Sequence, residues 1–183
     1  FNEHWADEPS VFANYAKHYK TGAPMPAALV ARIKAAGTYG QGFATTEYLG
    51  AALLDMAWHT LPQSMTERDD VDAFERAALR HYRINYALIP PRYRSSYFAH
   101  IWSSGYAAGY YAYLWTAVLR DDAFYWFREH GGMTRENGQR FRDMVLSRGN
   151  SEDTAAMYRA FRGRDPSVEP LLIERGLKAA KKP

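Results

Sequence analysis

The chain has 183 residues, with 23 lysines and arginines set against 20 aspartates and glutamates for a formal charge of +3. That length suits one domain or a piece of one, and so small a charge does not point to nucleic acid. The absence of cysteine removes disulfides, thiolate metal sites and thiol nucleophiles, and no apolar run approaches the roughly 18 residues of a membrane span. Aromatic residues make up 15%, including 14 tyrosines, which fits a large aromatic-lined core or cleft.

Strand signals are nearly absent and helix signals recur, so the expected fold class is all-α. Phe1-Asn2-Glu3-His4-Trp5 has neither an initiating methionine nor a signal-peptide pattern, and it reads as the middle of a helix. Asp7 can cap a second helix with Pro9 in its first turn, running to about Tyr19 with Val11, Phe12, Tyr15 and Tyr19 on one face. Pro26 opens a third, Ala27 to Ala36. After Gly37, Gly40 and Gly42, a long helix spans about Ala44 to Leu61 and stops at Pro62. Asp69 or Asp70 caps the next, Val71 to about Tyr86. Pro90-Pro91 breaks the chain, and Arg92 to Ala99 reads as loop. A central helix is expected from Gly105 to Glu129, stopping at Gly131-Gly132. Thr134 caps a helix to Arg148, with Asn137 in the place of a capping-box Glu or Gln, and Ser151 caps another to about Arg162. Gly163, Pro166 and Pro170 mark a looser tail with a short helix near Leu171. Lys178, Lys181 and Lys182 make residues 175–183 a basic, solvated end.

The most informative stretch is His100 to Trp115. On the expected helix Tyr106, Tyr110 and Tyr113 stand at i, i+4 and i+7 and share a face, leaving Tyr111, Leu114, Trp115 and Val118 to bury in a core. A phenol is protonated at neutral pH and donates a hydrogen bond. Three phenols and an imidazole converging on one spot could hold a developing oxyanion. The plainer reading is a stripe of half-buried core tyrosines with wet hydroxyls.

Little else in the chain offers chemistry. No two of the six histidines stand four apart, and there is no His-Glu-x-x-His, no G-x-S-x-G elbow and no phosphate loop. His4 and Glu8 have helical spacing for a metal, though such pairs usually sit on solvated faces. The chain carries hydrogen-bond donors and no generator of a nucleophile, as half of an active site would.

P-P-R-Y-R-S-S-Y-F-A-H-I-x-x-x-G-Y-A-A-G-Y-Y-A-Y-L-W, ending at Trp115, resembles the catalytic segment of the thimet-oligopeptidase-like zinc metallopeptidases, and within them the bacterial peptidyl-dipeptidases (dipeptidyl carboxypeptidases). F-N-E-H-W-A at the start agrees, as do A-A-L-L-D-M-x-W-H at 51–59, G-G-M-T-R-E-N-G-x-R-F-R from Gly131 and L-S-R-G-N-S-E-D from Leu146. The resemblance implies a helical zinc-peptidase fold in which residues 1–174 are the C-terminal part of an incomplete catalytic domain and line one side of a deep substrate channel. It implies that the zinc ligands lie upstream of Phe1, that this chain supplies none, and that its partners are that upstream part and peptide substrates. Neither nucleic acid nor membrane is implied, and the compartment expected is the cytoplasm, with the periplasm as the alternative.

Carried over by position, the resemblance makes His100, Tyr106 and Tyr113 catalytic, with Tyr110 and Gly105 binding substrate. Glu3 would stand on the helical face of an upstream zinc-binding glutamate and support it, or be an ordinary paired carboxylate. A peptidase that releases dipeptides must hold a free C-terminus, for which Arg92 and Arg94 are candidates; the alternative for both is pairing with structural carboxylates. Ser103 and Ser104 stand where relatives usually have glycine, which restricts the backbone there. Alone, the chain is expected to be inactive. The competing functional reading is a helical peptide-binding module without catalysis.

Overall fold

The computed structural model of this chain describes residues 1–65 and 70–179. Among the described residues the regular elements are helical, apart from one isolated antiparallel bridge between Lys17 and Pro24. The helices are α1 (Glu3–Asp7), α2 (Pro9–Tyr15), α3 (Ala27–Gly37), α4 (Gln41–His59), α5 (Val71–His81), α6 (Ala99–Trp102), α7 (Ala112–Glu129), α8 (Arg135–Phe141), α9 (Thr154–Arg162) and α10 (Glu169–Glu174). None is long and apolar enough to cross a membrane.

Several helix ends differ from expectation, each for a local reason. Glu8, not Asp7, precedes Pro9 at the start of α2, without a side-chain cap. That helix stops at Tyr15 because the chain folds back: His18 N donates to Ala23 O at 2.8 Å, and Gly22, at φ +70°, donates to His18 O at 2.8 Å. Tyr19 is left 85% exposed, off the expected face. Asp70 caps α5 by accepting from Ala73 N at 2.8 Å; Asp69 lies outside the described residues, as do Lys181 and Lys182 of the expected basic end. The same helix closes at His81, five residues short of Tyr86. Arg83 takes φ +58°, its N–H reaches Arg80 O at 3.0 Å, and Ile84 N reaches Leu79 O at 2.9 Å. This paired-bond helix ending normally carries glycine at the left-handed position, so an arginine there gave no warning. Thr134 caps α8 as expected, accepting from Asn137 N at 3.1 Å. Asn137 does not reciprocate; its amide holds His130 O and Gly132 O. Beyond Phe141 the helix widens into a π turn over Arg142–Leu146. Asp153, rather than Ser151, caps α9 through Ala156 N at 2.7 Å.

The chain forms two compact units, residues 1–39 with 116–183 and residues 40–115. In the first, an aromatic core gathers Phe1, Trp5, Phe124, Trp126, Phe127, Phe141 and Phe161, with Phe1 stacked on Phe141 at 4.5 Å. Beside it lies Asp122, which is fully buried. Its oxygens accept from Arg162 Nε at 3.2 Å, both terminal nitrogens of Arg164, Tyr158 Oη at 2.8 Å and Ser167 N at 3.2 Å. Arg162 in turn forks onto Glu129 at 2.8 and 3.0 Å. The segment after Gly163 is therefore tied down by Asp122 and by the burial of Leu171, and it is not the loose tail expected. Burial alone would raise the Asp122 carboxyl, but the bonds from Arg164 and Tyr158 and the charge of Arg162 outweigh it and hold it below its ordinary value. Tyr158 is raised, by burial first and then by its bond to Asp122.

The second unit packs α4 against α5 and the 90–111 segment. One cluster holds Ala51, Ala52, Phe98, Ile101 and Tyr110, and another Leu54, Ala78 and Leu79. Gly50 permits the close approach of Pro91, since a Cβ at Gly50 would stand 3.2 Å from that of Pro91. Glu75, only 2% exposed, accepts Ser95 N at 2.8 Å and Ser95 Oγ at 3.0 Å and pairs with Arg94. Trp58 and Trp102 donate to Ser95 from the other side.

Asp122→Ala should destabilise the protein by about 1–3 kcal/mol, because the inward Tyr158 hydroxyl and Ser167 N lose their acceptor, while Arg162 keeps its fork onto Glu129 and the half-exposed Arg164 contributes little. A folded-state carboxyl held low adds stability that is present above its unfolded value, near 3.8, and is lost as pH falls through the folded value. Denaturant unfolding followed from pH 6 downward should show this loss in the parent protein and a flatter profile in the variant.

Candidate active site

The i, i+4, i+7 reading of the tyrosines does not describe the backbone. Helix α7 begins at Ala112, and residues 103–111 run through turns, so only Tyr113 of the three is helical. The rings nevertheless gather around His100. Its imidazole centroid lies 5.6 Å from Tyr106, 5.6 Å from Tyr110 and 6.1 Å from Tyr113. Tyr106 and Tyr113 stack at 5.1 Å with their planes 14° apart.

The three phenols are not equivalent. Tyr106 and Tyr113 are 37% and 41% exposed, whereas Tyr110 is 4% exposed and belongs to the core, edge-on to Phe98 at 4.8 Å and stacked on Tyr48 at 5.2 Å. Tyr111 and Trp115, expected in the core, are each 53% exposed, while Val118 is buried. For Tyr111 the reversal follows from the turns, since residues 106–111 are off the helix; Trp115 lies on α7 itself, on its exposed face. Burial pushes the Tyr110 phenol up to about 12, against the opposing charge of Arg92. The hydrogen bond with Tyr106 raises Tyr113. Both shifts favour the protonated phenol at neutral pH. Stacked, exposed phenols beside an imidazole can donate to a carbonyl or anionic oxygen placed before them.

Side chains of α4 hold this arrangement, and the sequence reading missed them. Tyr48 Oη donates to Tyr110 O and accepts from Leu114 N at 3.2 Å. Asp55, with no exposed surface, accepts Ala108 N at 2.9 Å and Tyr110 N at 2.8 Å. The Nδ1 of His59 stands 2.8 Å from the Asp55 carboxylate and 2.9 Å from Asp55 O. Both neighbours are acceptors, so Nδ1 carries the proton. The available signal was an aspartate amid A-A-L-L-D-M-x-W-H, where apolar residues surround a charge that burial would penalise unless it were fully bonded.

The remaining candidates scatter. Arg94 pairs with Glu75 and, at 3.0 Å, with Asp72; the structure thus gives it structural carboxylates, the alternative weighed for it. Arg92 is exposed, its guanidinium 6.0 Å from the Tyr93 ring and beside the tyrosine cluster, and no carboxylate among the described residues pairs with it. Gly105 faces open space and has no left-handed φ, so no steric demand requires glycine there. Ser103 and Ser104 bond to the carbonyls of Ala99 and His100. In the other unit Glu3 projects into solvent, its carboxylate 4.0 Å from Arg120. Its neighbour His4 is the inward residue, with Nε2 at 2.8 Å from the buried Asp121. Glu8 pairs with Arg128, so His4 and Glu8 do not converge as a metal pair. Among the described residues no three His, Asp or Glu side chains gather to hold a metal ion, so the residues present do not make a zinc site.

The sequence profile of peptidase family M3 matches residues 1–177. The chain belongs to peptidase family M3. It is 55% identical to the dipeptidyl carboxypeptidases of Salmonella typhimurium and of Escherichia coli, in each case over 96% of this chain and 26% of the relative. It is 37% identical to Escherichia coli oligopeptidase A, over 97% of this chain and 26% of that protein. The chain thus spans about a quarter of the length of the curated relatives it matches. An all-helical family M3 segment is what the described residues make, as the resemblance of its motifs implied.

Tyr48→Phe keeps the ring stacked on Tyr110 and deletes the hydroxyl that serves both Tyr110 O and Leu114 N. It should lower stability by about 0.5–1.5 kcal/mol, the net worth of a lost hydrogen bond, because Leu114 N keeps Tyr111 O at 3.1 Å and Tyr110 O keeps the longer bond from Tyr113 N at 3.5 Å. Urea unfolding of the protein measures this, and a change below about 0.5 kcal/mol, the level of an inert surface substitution, would show that the hydroxyl holds nothing.

Proposed function

We propose that this chain is the substrate-holding part of a peptidase that hydrolyses peptide bonds and releases C-terminal dipeptides. The observation that carries the reading is the stacked, exposed pair Tyr106 and Tyr113 beside His100; membership of family M3 supports the reaction class. Tyr106 and Tyr113 donate hydrogen bonds to the scissile carbonyl oxygen as negative charge grows on it, or to the backbone of the peptide beside it. His100 assists from the edge of the pair. Tyr110 packs against Tyr113 and His100, and the open space at Gly105 leaves room for substrate. Arg92 takes the C-terminal carboxylate through two parallel hydrogen bonds. The zinc that such peptidases use would be held by the upstream part of the same enzyme, and Glu3 would stand near that part. This chain does not cleave alone, and residues 175–183 take no part in the site.

In the complete enzyme, Tyr113→Phe and Tyr106→Phe should each lower kcat by about 100- to 1000-fold, the usual effect of losing one donor to a developing oxyanion, with little change in KM. Kinetics on a chromogenic peptide, with zinc content checked, decides this. Near-normal turnover in both variants would leave only a structural tyrosine cluster.

Arg92→Ala should abolish the preference for free over amidated peptide C-termini while leaving turnover of longer, internally cleaved peptides unchanged. Equal discrimination before and after the substitution would remove Arg92 from the site.

A further inference from the structure

Asp55 lies in the C-terminal half of α4, directly after the buried Ala51, Ala52 and Leu54. A helix needs no carboxylate at such a place, and burying one is costly unless every oxygen is matched. Here they are matched, by main-chain N–H groups of the one segment that carries the tyrosines. Ala108 and Tyr110 donate to opposite oxygens of the same carboxylate, at 2.9 and 2.8 Å. Ala108 stands at φ +53°, a left-handed conformation for a residue with a Cβ. Such a conformation persists only where its surroundings over-determine it, and the N–H of that very residue is one of the two that Asp55 holds. The second N–H belongs to Tyr110, whose ring lies under His100 and 5.3 Å from Tyr113. His59, one turn on, braces the carboxylate from the third side.

We propose that Asp55 is a positioning residue for the tyrosine pair: its carboxylate fixes the path of residues 105–111, and through that path the placement of the Tyr106 and Tyr113 hydroxyls. This rests on reading those hydroxyls as donors to the substrate. Geometry explains why aspartate is needed. Asparagine has the same volume but only one accepting oxygen, and its amide would set a donor against a donor at either Ala108 or Tyr110. Glutamate would push its carboxylate past both N–H groups.

Two measurements on the complete enzyme test this. The first needs no variant: the Ala108 and Tyr110 amides lie outside any helix, and they should still exchange with deuterium at least about 100-fold more slowly than open amides. Exchange at the open rate removes the clamp. The second is a kinetic cycle. Asp55→Asn should lower kcat by about 100-fold, the scale of a misplacement near 1 Å, with KM changed by less than about 3-fold. In a Tyr106→Phe, Tyr113→Phe background, which has lost both hydroxyls that Asp55 would place, the same change should cost less than about 3-fold. An equal loss in both backgrounds would mean that Asp55 serves the fold alone and would overturn the proposal. Near-normal turnover in the double phenylalanine background itself would instead overturn the donor reading, and its signature differs because the slow exchange of Ala108 and Tyr110 would persist.

Discussion

A carboxylate removed from water has to be hydrogen-bonded on all sides, and it therefore orders whatever donates to it. This constraint recurs through the chain. Asp55 orders the tyrosine segment, Glu75 orders the start of the 95–102 stretch, and Asp122 orders the chain after Gly163. In each case the acid sits on a regular helix, α4, α5 or α7, and at least one donor is a main-chain N–H outside the α-helices, from Ala108 and Tyr110, Ser95 or Ser167. The helices thus act as fixed posts, and the loops that carry candidate chemistry take their shape from side-chain acceptors rather than from their own repeating bonds. Removing such an acid costs more than one contact, because each serves several donors at once.

That division explains what could be read from the sequence and what could not. Helical class, the start of α3, the Asp70 and Thr134 caps and the aromatic density follow from local pattern, and local physics decides them. The start of α7 does not. Residues 105–111 have helical spacing and no proline, with Gly105 and Gly109 weakening the helix, and Asp55, more than fifty positions earlier, competes for the N–H groups that a helix would use. The expected neighbours were still right: Tyr106, Tyr110 and Tyr113 meet at His100, though by a turn rather than along a face. What a wrong backbone concealed was the difference between them, with Tyr110 in the core and the other two in the open. The end of α5 was hidden by a single residue, since Arg83 occupies a conformation that sequence reasoning reserves for glycine.

The two environments of the phenols also separate two duties that share one residue type. Burial pushes the Tyr110 phenol up and suits it to a fixed support. Tyr106 and Tyr113 keep access to solvent, and their mutual hydrogen bond favours the protonated form of Tyr113, so a donor is available across the neutral range. Arg94 and Arg92 divide in the same manner. Arg94 completes the Glu75 knot, while Arg92 keeps its guanidinium at the surface beside the aromatic rings.

The serines at 103 and 104 have a mechanical meaning. The Ser104 hydroxyl is tethered to the carbonyl of His100, and that of Ser103 to the carbonyl of Ala99, one residue before it. A glycine pair would let the turn swing while the imidazole stayed still. Here both hydroxyls are fastened to the backbone that bears His100, so the turn is tied to the segment that places the imidazole.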